Sequence, residues 1–200
     1  MSQTLRPLQN ARLVLASASP RRSQLLAQLG LSFEVVPSTI EEVMEGHATP
    51  AAIAESLAHQ KAAEVAARRP DADLVLGADT IVVLGDTVLG KPLDEADARR
   101  MLGMIAGNWH DVYTGYALIA NDGRVVKGQV RTEVRIRDLS ADEIAAYVRT
   151  GEPMDKAGSY AIQGVGALLV AEIRGNYTNV VGLPVPAVDA AWRALGWALL

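Results

Sequence analysis

The stretch Leu74–Leu84, L-V-L-G-A-D-T-I-V-V-L, constrains this chain more than any other feature, because it is apolar throughout except at Asp79 and Thr80. A run of that composition reads as core. Burying a carboxylate without compensation is expensive, so Asp79 needs a cation, a hydrogen-bond network or a raised pKa. A metal ligand and a general base are its functional readings. A structural ion pair, or a strand end that reaches water, are the plain ones.

The segments around this run supply the rest of a core. Arg12–Ser17 reads as a short buried strand, and Ser19-Pro20 opens a helix that stops at Gly30. Phe33–Val36 is a second strand, and Thr49-Pro50 starts an alanine-rich helix that ends at Arg69-Pro70. Gly85-Asp86 is a turn with Val88-Leu89 returning from it, and a helix follows from about Asp94 to Gly107. Trp109–Ala120 and Val125–Arg137 are two long strands joined at Asn121-Asp122-Gly123, a hairpin signal. Ser140 with Glu143 is a capping-box pattern opening a helix to about Arg149. Tyr160–Ile173 carries glycines and an expected strand, and Pro186–Leu199 is a closing helix. This order of elements is α/β with a mixed sheet. Residues 1–10 read as an N-terminal extension and residues 11–200 as a single domain.

Half of the 200 residues are hydrophobic, enough for one sizeable core or two tightly joined lobes. The formal net charge of −4 offers no global attraction to nucleic acid or to anionic membranes, so neither is expected as a partner. The absence of cysteine excludes disulfides, zinc-thiolate sites and a cysteine nucleophile, and it fits a reducing compartment. Met1–Asn10 lacks the apolar core of a secretory signal, and no apolar run approaches the ~20 residues that span a bilayer. A cytoplasmic protein is the expectation.

Other places depart from local rules. In Ser17–Arg22, S-A-S-P-R-R, two adjacent guanidiniums stand at a helix start, where the dipole disfavours them. An anionic ligand would turn that repulsion into attraction; side chains pointing to solvent would explain it equally well. Lys61 falls in the middle of the apolar stripe Ile53, Leu57, Lys61, Val65, where it either snorkels or reaches into a site. Asp155–Gly166, D-K-A-G-S-Y-A-I-Q-G-V-G, has three glycines beside Gln163 and suggests a loop whose backbone comes close to something. It matches neither a Walker loop nor a dinucleotide fingerprint. Glu41-Glu42 and Gly90-Lys91-Pro92 are further candidates, while the three histidines show no ligand spacing and no serine has an elbow motif. Basic groups at a helix start with a half-buried aspartate point to phosphoryl or nucleotidyl chemistry, in which carboxylates hold a divalent metal.

The blocks Leu15–Arg22, Leu76–Thr80, Gly90–Pro92, Asp155–Gly166 and V-V-G-L-P at Val180–Pro184 resemble, in order, those of the Maf family of nucleoside triphosphate pyrophosphatases. The resemblance runs from about Leu13 to the final helix. It implies an elongated, twisted mixed sheet flanked by helices, with two lobes around a cleft. The implied reaction is a divalent-metal-dependent (Mg²⁺ or Mn²⁺) attack of water on the α-phosphate. The family pattern implies Asp79 as the proton acceptor and, with Glu42, as a metal ligand. It places Ser17, Arg22, Lys61 and Lys91 among the residues that handle phosphate and charge, and it implies a homodimer. Arg21, Thr80 and Gln163 stand where the family sorts its substrates, and this trio resembles the branch acting on dTTP and UTP, with modified pyrimidine nucleotides as further substrates. Two alternatives stand beside this reading. A nucleotidyltransferase would carry a glycine-rich loop where Ala16–Ser19 stands. A non-catalytic nucleotide-binding regulator of cell division would not need Asp79 and both lysines.

Overall fold

The computed structural model describes residues 4–41 and 49–200. The chain runs β1 (Arg6–Pro7), β2 (Leu13–Leu15), α1 (Pro20–Gln28), β3 (Phe33–Val35), α2 (Pro50–Arg68), β4 (Leu74–Leu84) and β5 (Thr87–Leu89). It continues through α3 (Glu95–Ile105), β6 (Trp109–Ala120), β7 (Val125–Ile136) and α4 (Ala141–Arg149). Short 3-10 turns then lead to β8 (Val170–Arg174), α5 (Tyr177–Val181), α6 (Val185–Ala194) and β9 (Trp197–Ala198).

The main sheet has the order β3-β2-β4-β6-β7-β8, with β5 also paired to β4. β2 is parallel to both β3 and β4, whereas β4/β5 and β7/β8 are antiparallel. The mixed α/β class expected from the order of elements is therefore found. Among the described residues, no helix is long and apolar enough to cross a membrane.

The chain divides into two units. The first comprises Met1–Asp79, Thr114–Val130 and Gly182–Leu200, and the second Thr80–Tyr113 and Arg131–Val181. In the first, α2 begins at Thr49, whose side chain accepts the Ala52 N–H at 3.2 Å, with Pro50 in the first helical turn. Its buried residues Ala58, Ala62 and Val65 pack against Val14, Val75 and Ala117 of the sheet. In the second unit, Ala98, Met101, Leu102 and Ile105 recur at helical spacing on α3 and meet Val134, Ile136, Tyr147 and Val148. The expected capping box on α4 is present in both directions between Ser140 and Glu143.

Two elements are shorter than their composition suggests. The closing helix stops at Ala194, because Gly196 turns the chain with φ +85° and Trp197–Ala198 pairs in parallel with Arg6–Pro7. The Arg6 guanidinium lies 3.8 Å from the Trp197 ring centroid, so the described part of the extension is joined to the last residues of the chain. In the glycine-rich stretch Tyr160–Ile173, only the segment from Val170 onward is strand, and Gly164–Leu168 winds as a 3-10 turn.

Candidate active site

The side chain that breaks the apolar run of β4 has its partner on α2. Lys61 Nζ donates to Asp79 Oδ1 at 2.5 Å, and both side chains are largely buried, 16% and 13% exposed. The compensating cation that Asp79 requires is thus supplied by the one charged residue in the apolar stripe of α2. Small residues bring the two elements this close. A Cβ on Gly77 would overlap the Ala58 carbonyl oxygen and lie 2.8 Å from the Ala62 nitrogen, and one on Gly115 would overlap the Ala54 carbonyl. With Ala54, Ala58 and Ala62 on its inner face, the helix backbone lies directly on β4 and β6, and Lys61 spans the short distance that remains.

Ser17 follows β2 on the neighbouring strand. The register that pairs Leu15 with Leu76, extended by the Ala16 N–H bond to the Leu76 carbonyl at 2.8 Å, carries Ser17 to the part of β4 that leads into Asp79. Arg22 does not point to solvent. It is buried, and its Nη1 donates to Ser17 Oγ at 2.8 Å and its Nε to the Gly182 carbonyl at 2.7 Å. That bond links the S-A-S-P-R-R block to Gly182 of the V-V-G-L-P block, and both of its ends lie in the first unit. Ser19 occupies the N-cap of α1 with Pro20 after it, but makes no capping bond through its side chain. Arg21 is half-buried at the same helix start. Ser17, Arg21, Arg22, Lys61 and Asp79 all belong to the first unit.

Thr80, Lys91 and Gln163 belong to the second. Successive strand residues face opposite ways, so Thr80 leaves β4 on the face away from Asp79, the face that also carries Val82. Over Val82 lies Gly158, whose absent Cβ would come within 2.8 Å of Val82 Cγ1, and the Gly158 N–H donates to the Gly90 carbonyl at 3.0 Å. The D-K-A-G-S-Y block and the G-K-P block are therefore bonded to each other, with Lys91 exposed beside the junction. Ser159 is the only non-glycine residue with positive φ among the described residues, at +60°, and its buried hydroxyl donates to Met101 Sδ at 3.2 Å.

Two features of the second unit carry no signal in the sequence. His110 and Tyr160 are buried together, with His110 Nε2 and Tyr160 Oη 2.7 Å apart and the rings edge to face. Burial pushes the His110 imidazole down to about 4 and the Tyr160 phenol up. The other is Glu152, at the start of a 3-10 turn after α4, around whose carboxylate the Gln163 loop closes. The expected close approach of that glycine-rich backbone is real, and what it approaches is a carboxylate of the chain itself.

Glu42 lies outside the described residues. Among the described residues no group of three or more His, Cys, Asp or Glu side chains gathers in a way that could hold a metal ion. Asp79 fits the manner in which Mg²⁺ is commonly bound, by one or two carboxylates together with substrate phosphates.

Comparison with known proteins identifies the family. The family described as Maf-like protein matches residues 12–195. The dTTP/UTP pyrophosphatase of Moorella thermoacetica is 56% identical over 187 residues, which cover 93% of this chain and 96% of that protein. The proteins of the same name from Gloeobacter violaceus and Syntrophus aciditrophicus are 53% and 48% identical, covering 88% and 92% of this chain and 91% and 90% of their own. Among solved structures, a dITP/XTP pyrophosphatase from Mycobacterium abscessus aligns over 92% of this chain and 95% of its own, at 16% identity and a TM-score of 0.43, too distant a likeness to carry an argument. With the family match extending over nearly its whole length, and relatives this similar end to end, the chain belongs to the Maf family.

Proposed function

We propose that this protein is a nucleoside triphosphate pyrophosphatase that converts dTTP and UTP, and modified pyrimidine triphosphates, to the monophosphate and pyrophosphate. The observation that carries the reading is the Lys61–Asp79 pair, set into an otherwise apolar strand, in a chain about half identical to proteins named for that activity.

In this reading water attacks the α-phosphorus and gives up its proton to the Asp79 carboxylate, acting as general base. The bond from the α-phosphorus to the bridging oxygen breaks, and pyrophosphate leaves with that oxygen. Lys61 holds Oδ1 and orients the carboxylate. Arg22, fixed by Ser17 and Gly182, provides positive charge for the triphosphate together with Lys91 and Lys61, and Ser17 contributes a hydroxyl to the same task. Asp79 and Glu42 would hold a divalent cation, Mg²⁺ or Mn²⁺, which when bound neutralises phosphate charge and favours ionisation of water. Arg21, Thr80 and Gln163 select the base: guanidinium and amide donate to the two carbonyls of uracil or thymine, and the amide oxygen accepts from the ring N–H. A cytoplasmic homodimer with no nucleic-acid or membrane partner completes the reading.

Turnover of UTP, dTTP, CTP, ATP and GTP tests it. Cytosine puts an amino group where uracil has a carbonyl, and an unpaired buried group costs ~1–3 kcal/mol, so kcat/KM for UTP and dTTP should exceed that for CTP by roughly 5- to 150-fold. Purines, with a larger ring system, should be poorer still. Equal efficiency across the five nucleotides would refute the assignment of substrate.

A further inference from the structure

The loop that carries Gln163 is held at both ends by one pair of residues. On one side the Ala161 N–H donates to Tyr147 Oη at 3.2 Å. On the other the Val165 and Gly166 N–H groups donate to Glu152 Oε2 and Oε1, at 3.0 and 2.9 Å. The Tyr147 hydroxyl donates to Glu152 Oε1 at 2.8 Å and joins the two anchors. Gln163 stands midway, two residues from Ala161 and two from Val165.

The flanking glycines serve this arrangement. A Cβ on Gly164, where φ is +66°, would lie 2.5 Å from Glu152 Oε2, and one on Gly166 would lie 2.6 Å from Tyr147 Oη. Burial alone would raise the Glu152 carboxyl. Hydrogen bonds from Tyr147, Gly166 and Val165, with Lys156 nearby, outweigh it and hold the group below its ordinary value. The anchor is therefore an ionised carboxylate with three donors aimed at it, and bonds of this charged kind are short and directional.

We infer that Glu152 and Tyr147 are positioning residues for base selection, fixing the loop so that the Gln163 amide is presented to the pyrimidine edge in one orientation. The inference rests on the assignment of Gln163 to base selection given above. A recognising group has to be held within ~0.5 Å and ~10–20° of its working geometry, and a glycine-rich loop cannot hold such a geometry unaided.

The test compares kcat/KM for UTP and CTP in the wild type, Glu152→Gln, Tyr147→Phe, Gln163→Ala and the double variant Glu152→Gln/Gln163→Ala. Glu152→Gln keeps the shape but leaves one acceptor oxygen for two backbone donors. The UTP:CTP ratio should fall roughly tenfold in Glu152→Gln, the size of a ~1.4 kcal/mol coupling carried through a shared hydrogen-bond network. It should fall in Tyr147→Phe as well, and Glu152→Gln should lower it no further once Gln163 is alanine. A loss of kcat/KM shared equally by the two nucleotides, or an additive fall in the double variant, overturns the inference and leaves Glu152 a structural residue. If Gln163→Ala collapses the ratio while Glu152→Gln and Tyr147→Phe preserve it, positioning alone is refuted. If Gln163→Ala itself leaves the ratio intact, the role of Gln163 is refuted and the inference with it. Tyr147→Phe removes a single oxygen, and it carries the test if Glu152→Gln does not fold.

Discussion

At the scale of single residues, Lys61 and Asp79 each remove a burial problem from the other. Lys61→Met leaves the carboxylate uncompensated and should destabilise the protein by roughly 3 kcal/mol, the low end for breaking a buried pair because both side chains keep some contact with water. Adding Asp79→Asn removes the second charge and should restore most of that loss. Activity follows a different course: every variant with Asp79→Asn should lose turnover by ~10²–10⁴-fold, the cost of a general base. Denaturant unfolding and steady-state turnover on the singles and the double separate the two effects. A double variant no more stable than Lys61→Met would show that the pair does not supply the compensation.

His110 gives a second residue-scale prediction, of stability against pH. Its folded value of about 4 lies below the ordinary 6.5, with burial the main cause. Above pH 6.5 the ring is neutral in both states and contributes no slope. Between 6.5 and 4 the unfolded chain binds a proton that the folded chain refuses, so stability falls with pH, by ~3 kcal/mol across the window. His110→Gln should lose that part of the fall, measured as the difference in unfolding free energy between pH 7 and pH 4.5. The same difference in both proteins would contradict a buried neutral imidazole.

At the scale of elements, the fit of α2 against β4 and β6 is what lets a lysine reach a strand aspartate. Gly115→Ala would drive a methyl group into the Ala54 carbonyl and push the helix outward. Overpacking of this kind costs ~1–3 kcal/mol, which lowers Tm by several degrees at ~2–4 °C per kcal/mol for a domain this size. Turnover should fall with it as Lys61 moves from Asp79; an unchanged melting curve in differential scanning calorimetry would contradict the close approach. Much of this level is legible in the sequence. The capping box at Ser140, the proline start of α2 and the buried position of Lys61 follow from local chemistry and helical period. The partner of the Gln163 loop does not, because Glu152 lies more than ten residues away and only the folded backbone brings its carboxylate under Val165 and Gly166. The closing helix is overextended for a similar reason: Trp197 and Ala198 suit a helix by composition, and pairing with Arg6–Pro7 overrides that preference.

At the scale of the whole molecule, the candidate residues sort by unit, while the blocks Leu76–Thr80 and Val180–Pro184 are each divided between the two. Ser17, Arg21, Arg22, Lys61 and Asp79 fall in one, and Thr80, Lys91 and Gln163 in the other, with the boundary between Asp79 and Thr80 inside β4. No local pattern announces that division, since the long strands β4, β6 and β7 each contribute to both units. The blocks suggest phosphate chemistry because arginines at a helix start and a carboxylate in an apolar strand conflict with burial and dipole unless something offsets them. For the carboxylate and for Arg22, part of the offset proves to be internal, Lys61 in one case and Ser17 with Gly182 in the other. The central claim is the bond that is cut, and phosphorus NMR of the products from UTP measures it directly. With Mg²⁺ present the protein should release UMP and pyrophosphate, and with EDTA it should release neither; UDP and orthophosphate as the main products would contradict the account.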